Sequence, residues 1–208
     1  MAVIRRYAFI WSVQNLLLAA SVFNRLFIYI GFNGMTRMRI IGLFGCSVVV
    51  AGFILVVVKI ARRQSFFWLI QRQLWAFAFA VLAFVLTPVD WVVMKYNAGR
   101  VQAGDIAACM AIGVKPFDCQ GVFPLLSLMD CEDEHIRRGV RARLASQYQE
   151  LQDWHEDRVK HWTTAQWAKT SALQALEARR EQLQPFLDDP KLRMQQIEAF
   201  DQYARQWY

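Results

Sequence analysis

The chain has 208 residues, of which 56% are hydrophobic, 14% aromatic and only 20% charged, with a formal net charge of +7. In a soluble protein this charge would suggest nucleic-acid binding. Its distribution argues against that class: residues 1–95 hold 10 Lys/Arg and one carboxylate, whereas residues 96–208 hold 14 Lys/Arg and 16 Asp/Glu. The positive charge therefore belongs to the apolar half, and the polar half is nearly neutral.

The first candidate membrane span covers about residues 7–30. Tyr7–Asn24 carries no charge, and after Arg25 the apolar run LFIYI follows. Such a stretch is long enough to cross a bilayer. A cleaved signal peptide is the alternative, because an arginine pair precedes the span and small residues occupy 19–21. The length of the apolar block favours a retained span.

Two further spans are predicted at about 38–60 and 66–87. The second has the β-branched segment SVVVAGFILVVV at its centre, and Thr87-Pro88 ends the third, since proline cannot continue a helix. The alternation WAFAFA resembles a strand, but a lone strand would leave its backbone unpaired in lipid. The soluble alternative is a buried three-helix core, which the rest of the chain is too short to cover.

The basic residues next to the spans predict the orientation of the chain. Three crossings place the N-terminus and the second loop on one face, with six Lys/Arg in their flanks against three in the first loop. The imbalance favours a cytoplasmic N-terminus and a C-terminal half outside the cytoplasm. The six are Arg5, Arg6, Lys59, Arg62, Arg63 and Arg72, and the three are Arg25, Arg37 and Arg39.

A set of polar residues near the span ends has two interpretations. Arg25 lies one helical turn before Tyr29, so both occupy one face of the first span. Simple snorkelling of Arg25 to the interface is the first interpretation. The second is a fixed polar cluster with Asp90 and Arg39 that sets helix packing or lines a pathway.

Residues 24–40, NRLFIYIGFNGMTRMRI, resemble the C-terminal part of an uncharacterised bacterial multi-pass membrane family, a domain of unknown function. Its pattern resumes at 87–100, TPVDWVVMKYNAGR, and the part after residue 100 looks like the planctomycete branch of that family. The resemblance implies a multi-pass protein of the bacterial inner membrane and supplies no reaction or substrate. The positions that fall on the pattern are Arg25, Tyr29, Gly34, Thr36, Arg39, Asp90, Tyr96, Asn97 and Arg100.

The chain also departs from this family. Gly31 and Asn33 stand where members often have an acidic and an aromatic residue, which removes an ion-pair partner for Arg25. Members usually carry further spans upstream, so the resemblance implies a short member or the C-terminal piece of a split protein. Physically, the segment 31–36 predicts a tight turn with Thr36 capping the next helix. Arg37 and Arg39 then act as interfacial anchors or as ligands for anionic lipid headgroups.

Beyond residue 96 the pattern is helical and amphipathic. A helix follows the acidic cluster 130–134, whose carboxylates either cap the helix or form a metal site, and capping suffices to explain them. Its apolar face comprises Ile136, Val140, Leu144 and Tyr148 at four-residue spacing. Later helices are predicted at 164–183, before Pro185, and at 190–207. The apolar stripe of the last helix comprises Met194, Ile197, Phe200, Tyr203 and Trp207.

Motifs of enzyme chemistry are missing from the sequence. It contains no H-E-x-x-H, no Walker loop, no G-x-S-x-G and no C-x-x-C pair, so we predict no catalytic, cofactor or metal residues and no enzymatic activity. Outside the cytoplasm, Cys119 and Cys131 are a candidate disulfide.

The sequence therefore predicts an all-α integral membrane protein with a membrane domain at 1–95 and a helical extramembrane domain at 96–208. The favoured function is a non-enzymatic structural or interaction subunit. Its partners are the lipid bilayer and a protein partner or the upstream part of a split membrane protein, with no nucleic acid. The alternative is a component of a transport or envelope-processing system that uses the polar cluster.

Overall fold

The computed structural model describes the backbone of residues 2–160 and 166–206, and the side chains of 6–156 and 166–206. Within these ranges the chain is helical without a strand, which confirms the all-α prediction. Short 3-10 turns at Ile106–Ala108 and Leu126–Leu128 accompany ten α-helices. The helices are α1 Ala2–Asn33, α2 Arg37–Arg62, α3 Phe66–Leu86, α4 Val89–Gln102, α5 Cys109–Gly113, α6 Cys119–Leu125, α7 Glu134–Lys160, α8 Trp167–Glu177, α9 Arg180–Asp188 and α10 Pro190–Arg205.

The chain divides into two compact units. The first comprises Met1–Gly31 and Arg37–Pro88, and the second comprises Phe32–Thr36 and Val89–Tyr208. The second unit thus includes the short connection between α1 and α2 as well as the whole polar half. The domain boundary that the sequence predicts after residue 95 falls inside α4.

Three helices of the first unit are long and apolar enough to cross a membrane: Arg6–Asn33, Arg37–Arg62 and Phe66–Leu86. They contain the predicted spans at 7–30 and 38–60 and match the third to within one residue. Their large apolar side chains are mostly exposed, including Leu17, Phe77 and Val85. A soluble protein rarely leaves so much contiguous apolar surface in water, so the helices are consistent with contact to lipid.

Helices α2 and α3 pack against each other as a hairpin. The rings of Phe44 and Phe84 meet edge to face with centroids 5.5 Å apart. A groove of about 430 Å³ lies along the pair, and both large and small side chains of the two helices line it, four of them small. The small ones are Ser47, Ala51, Ala76 and Ala80. Helix α1 approaches α2 where the Trp11 and Phe53 ring centroids are 6.1 Å apart.

The turn between α1 and α2 is shorter than the sequence predicts. Gly31 and Asn33 still belong to α1, and only residues 34–36 are non-helical. Gly34 alone makes the turn, with φ at +76°. This left-handed conformation costs glycine little and other residues more. Thr36 directly precedes α2, at the predicted capping position.

Helix α7 lies at the centre of the second unit, where α8, α9 and α10 pack against it. The predicted apolar face of α7 is confirmed, since all four of its side chains are buried. They are Ile136, Val140, Leu144 and Tyr148. Helices α4 and α6 pack together, and α5 contacts α10.

Two predictions for the C-terminal helices need correction. The helix predicted at 164–183 begins on residues 164–165, which lie outside the described residues, and its described part belongs to two helices, α8 and α9. Residues 178–179 separate them, and Arg179 leaves the helical conformation with φ −120° and ψ 19°. Pro185 lies inside α9 rather than after it. In the predicted stripe of α10, Phe200 is buried but Met194 is exposed, and Trp207 lies outside the described residues.

Helices α7 and α10 approach each other at Gly139. A Cβ atom built at this glycine would lie 2.2 Å from Cγ of Phe200, well inside van der Waals contact. Gly113 of α5 is similarly close to Ala204, at 3.1 Å. The missing side chains at 139 and 113 thus create the space in which the Phe200 ring packs.

Candidate functional site

The side-chain amide of Asn97 on α4 is paired with the backbone of Met35. The Met35 N–H donates to Asn97 Oδ1 at 2.8 Å, and Asn97 Nδ2 donates to the Met35 carbonyl at 2.8 Å. Asn97 is fully buried, so both hydrogen bonds are protected from water. One side chain therefore satisfies both polar groups of a turn residue that lies 62 positions earlier.

Gly34 completes this arrangement. A Cβ atom at residue 34 would lie 2.6 Å from Asn97 Oδ1 and 3.5 Å from Cβ of Ala111. Two features of this position therefore require glycine: the positive φ and the close approach of the Asn97 amide. The structure therefore brings together Gly34 and Asn97, two residues that the sequence pattern singled out separately.

Tyr96 and Arg100 form a second local group on α4. Arg100 Nε donates to Asp105 Oδ2 at 2.8 Å, and a second guanidinium nitrogen pairs with the same oxygen. The Arg100 guanidinium carbon also lies 5.9 Å from the centre of the Tyr96 ring. The ion pair bridges the C-terminal end of α4 and the following turn, so it has a structural explanation.

Asp90 in the first turn of α4 is buried, and its Oδ2 accepts the backbone N–H of Asp118 at 2.8 Å. Asp118 in turn caps α6, since its Oδ1 accepts the Cys119 N–H at 2.7 Å. The pair of aspartates therefore joins the starts of α4 and α6. Asp90 belongs to the second unit, whereas Arg25, Tyr29 and Arg39 of the predicted polar cluster belong to the first.

Arg25 and Tyr29 do meet within α1. Arg25 Nη2 donates to the Tyr29 hydroxyl at 3.2 Å, and its guanidinium carbon lies 5.5 Å from the ring centre. The four-residue spacing that predicted a shared face is thus confirmed. Both interactions fit an arginine that is anchored near the end of a span.

A polar site that the sequence did not reveal lies between α7 and α10. Asp133 Oδ1 accepts the backbone N–H groups of His135 and Ile136, at 2.8 and 3.1 Å, and so caps α7. Its other oxygen accepts the Tyr203 hydroxyl at 2.8 Å, and the Tyr203 ring stacks on His135 at 5.0 Å. Capping was foreseeable from the acidic cluster 130–134, but a partner 70 residues away left no local signal.

Burial and hydrogen bonds shift the pKa values of two groups in this site. Burial of Asp133 opposes ionisation, but hydrogen bonds from the Ile136 N–H, the Tyr203 hydroxyl and the His135 N–H outweigh it and lower the carboxyl pKa. Burial and the hydrogen bond to Asp133 raise the pKa of Tyr203 to about 12. The carboxylate thus stays ionised and the phenol protonated, as a structural pair rather than an acid–base pair.

Arginines of α7 bind the carbonyl ends of earlier helical segments. Arg141 Nε donates to the Met129 carbonyl at 2.8 Å, and Arg137 Nη1 donates to the Cys131 carbonyl at 3.0 Å. Arg143 Nη1 donates to the Ile112 carbonyl at 2.6 Å and also reaches that of Gly113. The Met129, Ile112 and Gly113 carbonyls lie at helix C-termini, where they lack intrahelical partners and where cations complement the helix dipole. Cys131 lies in the non-helical segment before α7.

In the structure all four cysteines are free, including Cys119 and Cys131 of the candidate disulfide. Cys119 begins α6, whereas Cys131 follows the 3-10 turn that extends it. The ten helical residues from Cys119 to Leu128 rise about 16 Å, and a disulfide needs Cα atoms within about 7 Å. Burial raises the pKa of Cys119 to about 11 and that of Cys109 to about 12, so both thiols are poor nucleophiles at neutral pH.

The described side chains contain no group of three or more His, Cys, Asp or Glu that could hold a metal ion. The polar contacts above cap helices, hold turns, satisfy helix-end carbonyls or pair side chains within and between helices. These contacts hold backbone segments in place. The clearest case is the 34–36 turn, which Asn97 holds against α4.

The N-terminal part of the chain matches a known protein family. A domain of unknown function, DUF4153, matches residues 1–117. The chain belongs to the DUF4153 family. The match covers all three apolar helices, the 34–36 turn, α4 and α5, so the Gly34–Asn97 contact lies wholly within the family domain. The predicted membership of an uncharacterised family is thus confirmed. No curated protein and no solved structure matches the chain.

Proposed function

We propose that the protein is a non-enzymatic structural or interaction subunit of a membrane assembly. In this proposal the three apolar helices cross the bilayer, and the helical second unit contacts a protein partner on one face. The same proposal includes three finer statements. The resemblance supports a location in the bacterial inner membrane and membership of the planctomycete-like branch. The distribution of Lys/Arg supports a C-terminal half outside the cytoplasm.

The main support for the proposal is the environment of Gln14 in α1. Its neighbours satisfy their polar groups on their own helix: Ser12 Oγ donates to the Ala8 carbonyl at 2.8 Å, and Asn15 Nδ2 donates to the Trp11 carbonyl at 2.8 Å. Gln14 is exposed and makes no such bond within the described part of the chain. An exposed amide in a span is costly in lipid and is stabilised by a polar group on a neighbouring helix.

The groove between α2 and α3 supports the same proposal. Small side chains, among them Ser47 and Ala80, form part of the lining of this groove of about 430 Å³. Small residues at four-residue spacing allow a further helix to approach closely. The additional helices would come from a partner protein or from the upstream part of a split family member.

Site-specific photocrosslinking in native membranes tests this proposal. A photoreactive residue at position 14 should give a discrete protein–protein adduct, because a helix covers the amide. The matched control is position 77, where exposed Phe77 lies midway along α3 and should give lipid adducts alone. Lipid adducts alone at position 14 would contradict the proposal, as would unchanged partner recovery with Gln14→Leu.

The transport alternative has less support. It requires Arg25, Tyr29, Arg39 and Asp90 to act as one cluster. Arg25 instead bonds to Tyr29 within α1, and Asp90 accepts the backbone N–H of Asp118, so each of these three residues has a structural partner.

A further inference from the structure

The turn between α2 and α3 carries a dense group of cations. Lys59 and Arg62 occupy the last turn of α2, and Arg63 follows directly. Arg62, Arg63 and Arg72 are exposed, while Lys59 is half-buried. Because α2 and α3 are both candidate spans, this turn lies at a membrane–water boundary. We name the group of Lys59, Arg62, Arg63 and Arg72 the turn cluster.

The protein offers no counter-ion to this cluster from its own membrane unit. The sequence has no Asp or Glu before Asp90, and that residue belongs to the second unit. Cations concentrated at a bilayer surface attract anionic headgroups, and here the neutralising charge must come from outside the unit.

Arg63 has an unusual backbone conformation. Its φ is +52°, and it is the one non-glycine residue with positive φ in the described part of the chain. The Gln64 N–H donates to the Lys59 carbonyl at 3.0 Å, which is the helix-ending motif whose left-handed position glycine normally occupies. An arginine at this position strains the backbone where glycine would not. A strained residue of this kind is a candidate for a functional role of its side chain.

The start of α3 supplies the rest of a headgroup site. Ser65 Oγ accepts the Trp68 N–H at 3.2 Å, and the exposed rings of Phe66 and Phe67 follow the cap. The Arg72 guanidinium carbon lies 5.8 Å from the centre of the Trp68 ring. Helical side chains lean toward the N-terminus, so Arg72 extends from the span back toward the turn. The indole ring of a tryptophan such as Trp68 anchors at this level, among lipid headgroups and glycerol groups.

We propose that the turn cluster binds the phosphate headgroup of an anionic phospholipid. Arg62 and Arg63 contact the phosphate from the end of α2, Arg72 reaches it from α3, and Phe66 and Phe67 pack against the adjoining acyl chains. The site is specific to the turn and does not depend on a protein partner of Gln14, so the two proposals can fail separately.

The test titrates the purified full chain in mild detergent with phosphatidylglycerol or phosphatidylcholine of identical acyl chains, counting bound lipids by native mass spectrometry. We expect the wild-type chain to prefer phosphatidylglycerol, and each removed cation to weaken that preference about five-fold. R62Q/R63Q should therefore lose about 25-fold. The matched control, R37Q/R39Q, removes two charges from the other end of the same helix. The proposal treats these two arginines as interfacial anchors rather than headgroup ligands, so this variant should keep most of the preference.

A second variant separates binding from folding. Arg63→Gly relieves the left-handed strain, so its thermal stability should equal or exceed that of the wild type while its preference for phosphatidylglycerol falls about five-fold. The proposal is overturned if the wild type shows no preference, if both double variants lose it equally, or if R63G retains it. It is also overturned if inorganic phosphate at millimolar concentration displaces the lipid, because the site would then be one for free anions.

Discussion

The Asn97 side chain and the Met35 backbone form a reciprocal pair of hydrogen bonds, each 2.8 Å long, that holds the turn between α1 and α2 on α4. An amide side chain here does what a neighbouring strand does in a sheet: it offers one acceptor and one donor to a single residue. Because Asn97 is buried, loss of either bond would leave a polar group without water or protein partners.

Asn97→Asp tests the reciprocity of this pair. The aspartate keeps an acceptor for the Met35 N–H but cannot donate to the Met35 carbonyl, and it introduces a buried charge. We expect the free energy of unfolding to fall by about 1–3 kcal/mol. For a chain of this length, each kcal/mol lowers the unfolding midpoint by roughly 2–4 °C. Thermal unfolding in detergent measures it. Gln102→Ala is the control on α4, because exposed Gln102 makes only a 3.5 Å hydrogen bond to the Ser127 carbonyl; an equal loss there would contradict the account.

Gly34→Ala tests the close approach of the amide. Two costs are expected: about 1–2 kcal/mol for a left-handed alanine, and an additional clash between its Cβ and Asn97 Oδ1. Gly104→Ala isolates the first cost, because Gly104 has φ at +89° but nothing within 4 Å of its Cβ position. Midpoints of thermal unfolding should therefore fall further for Gly34→Ala than for Gly104→Ala. Equal shifts would show that the approach of Asn97 does not constrain residue 34.

Gly139→Ala tests the packing of α10 on α7. Alanine favours a helix by about 1 kcal/mol over glycine, yet its Cβ would overlap the buried Phe200 ring, and overpacking typically costs about 1–3 kcal/mol. We expect net destabilisation, measured as a lower unfolding midpoint. Gly99→Ala in α4 is the counterpart, since its Cβ meets nothing within 4 Å and it should be neutral or stabilising. A stabilised Gly139→Ala variant would refute the close contact.

Sequence reasoning succeeds here where the physics is local. The three spans follow from uncharged apolar length, and the buried face of α7 follows from the four-residue spacing of Ile136 to Tyr148. It fails where long-range packing decides the outcome. Nothing near Met194 in the sequence shows that it is exposed while Phe200, six residues later, is buried. Likewise, Gly34 and Asn97 were singled out by a shared family pattern, but only the fold shows that they touch.

The hydrogen bonds of Asp133 should make the stability of the protein depend on pH in the acid range. The folded carboxyl has a pKa below its ordinary value of 3.8, so its contribution to stability is fully present above 3.8 and is lost as pH falls through the lower folded value. Asp133→Asn removes the titrating group but keeps a capping oxygen. The difference in unfolding midpoint between wild type and Asp133→Asn should therefore shrink between pH 7 and pH 3. A difference that is constant or grows toward acid would contradict the assigned hydrogen bonds.

Topology mapping tests the central claim, three membrane crossings followed by a helical domain, most directly. Reporter fusions or accessibility of introduced cysteines at positions 35, 64 and 208 should place 64 on one face and both 35 and 208 on the other. The distribution of Lys/Arg further predicts that position 64 is cytoplasmic. Positions 64 and 208 on the same face would contradict three crossings. Position 208 in the cytoplasm with 64 outside would leave the crossings intact and reverse the proposed orientation.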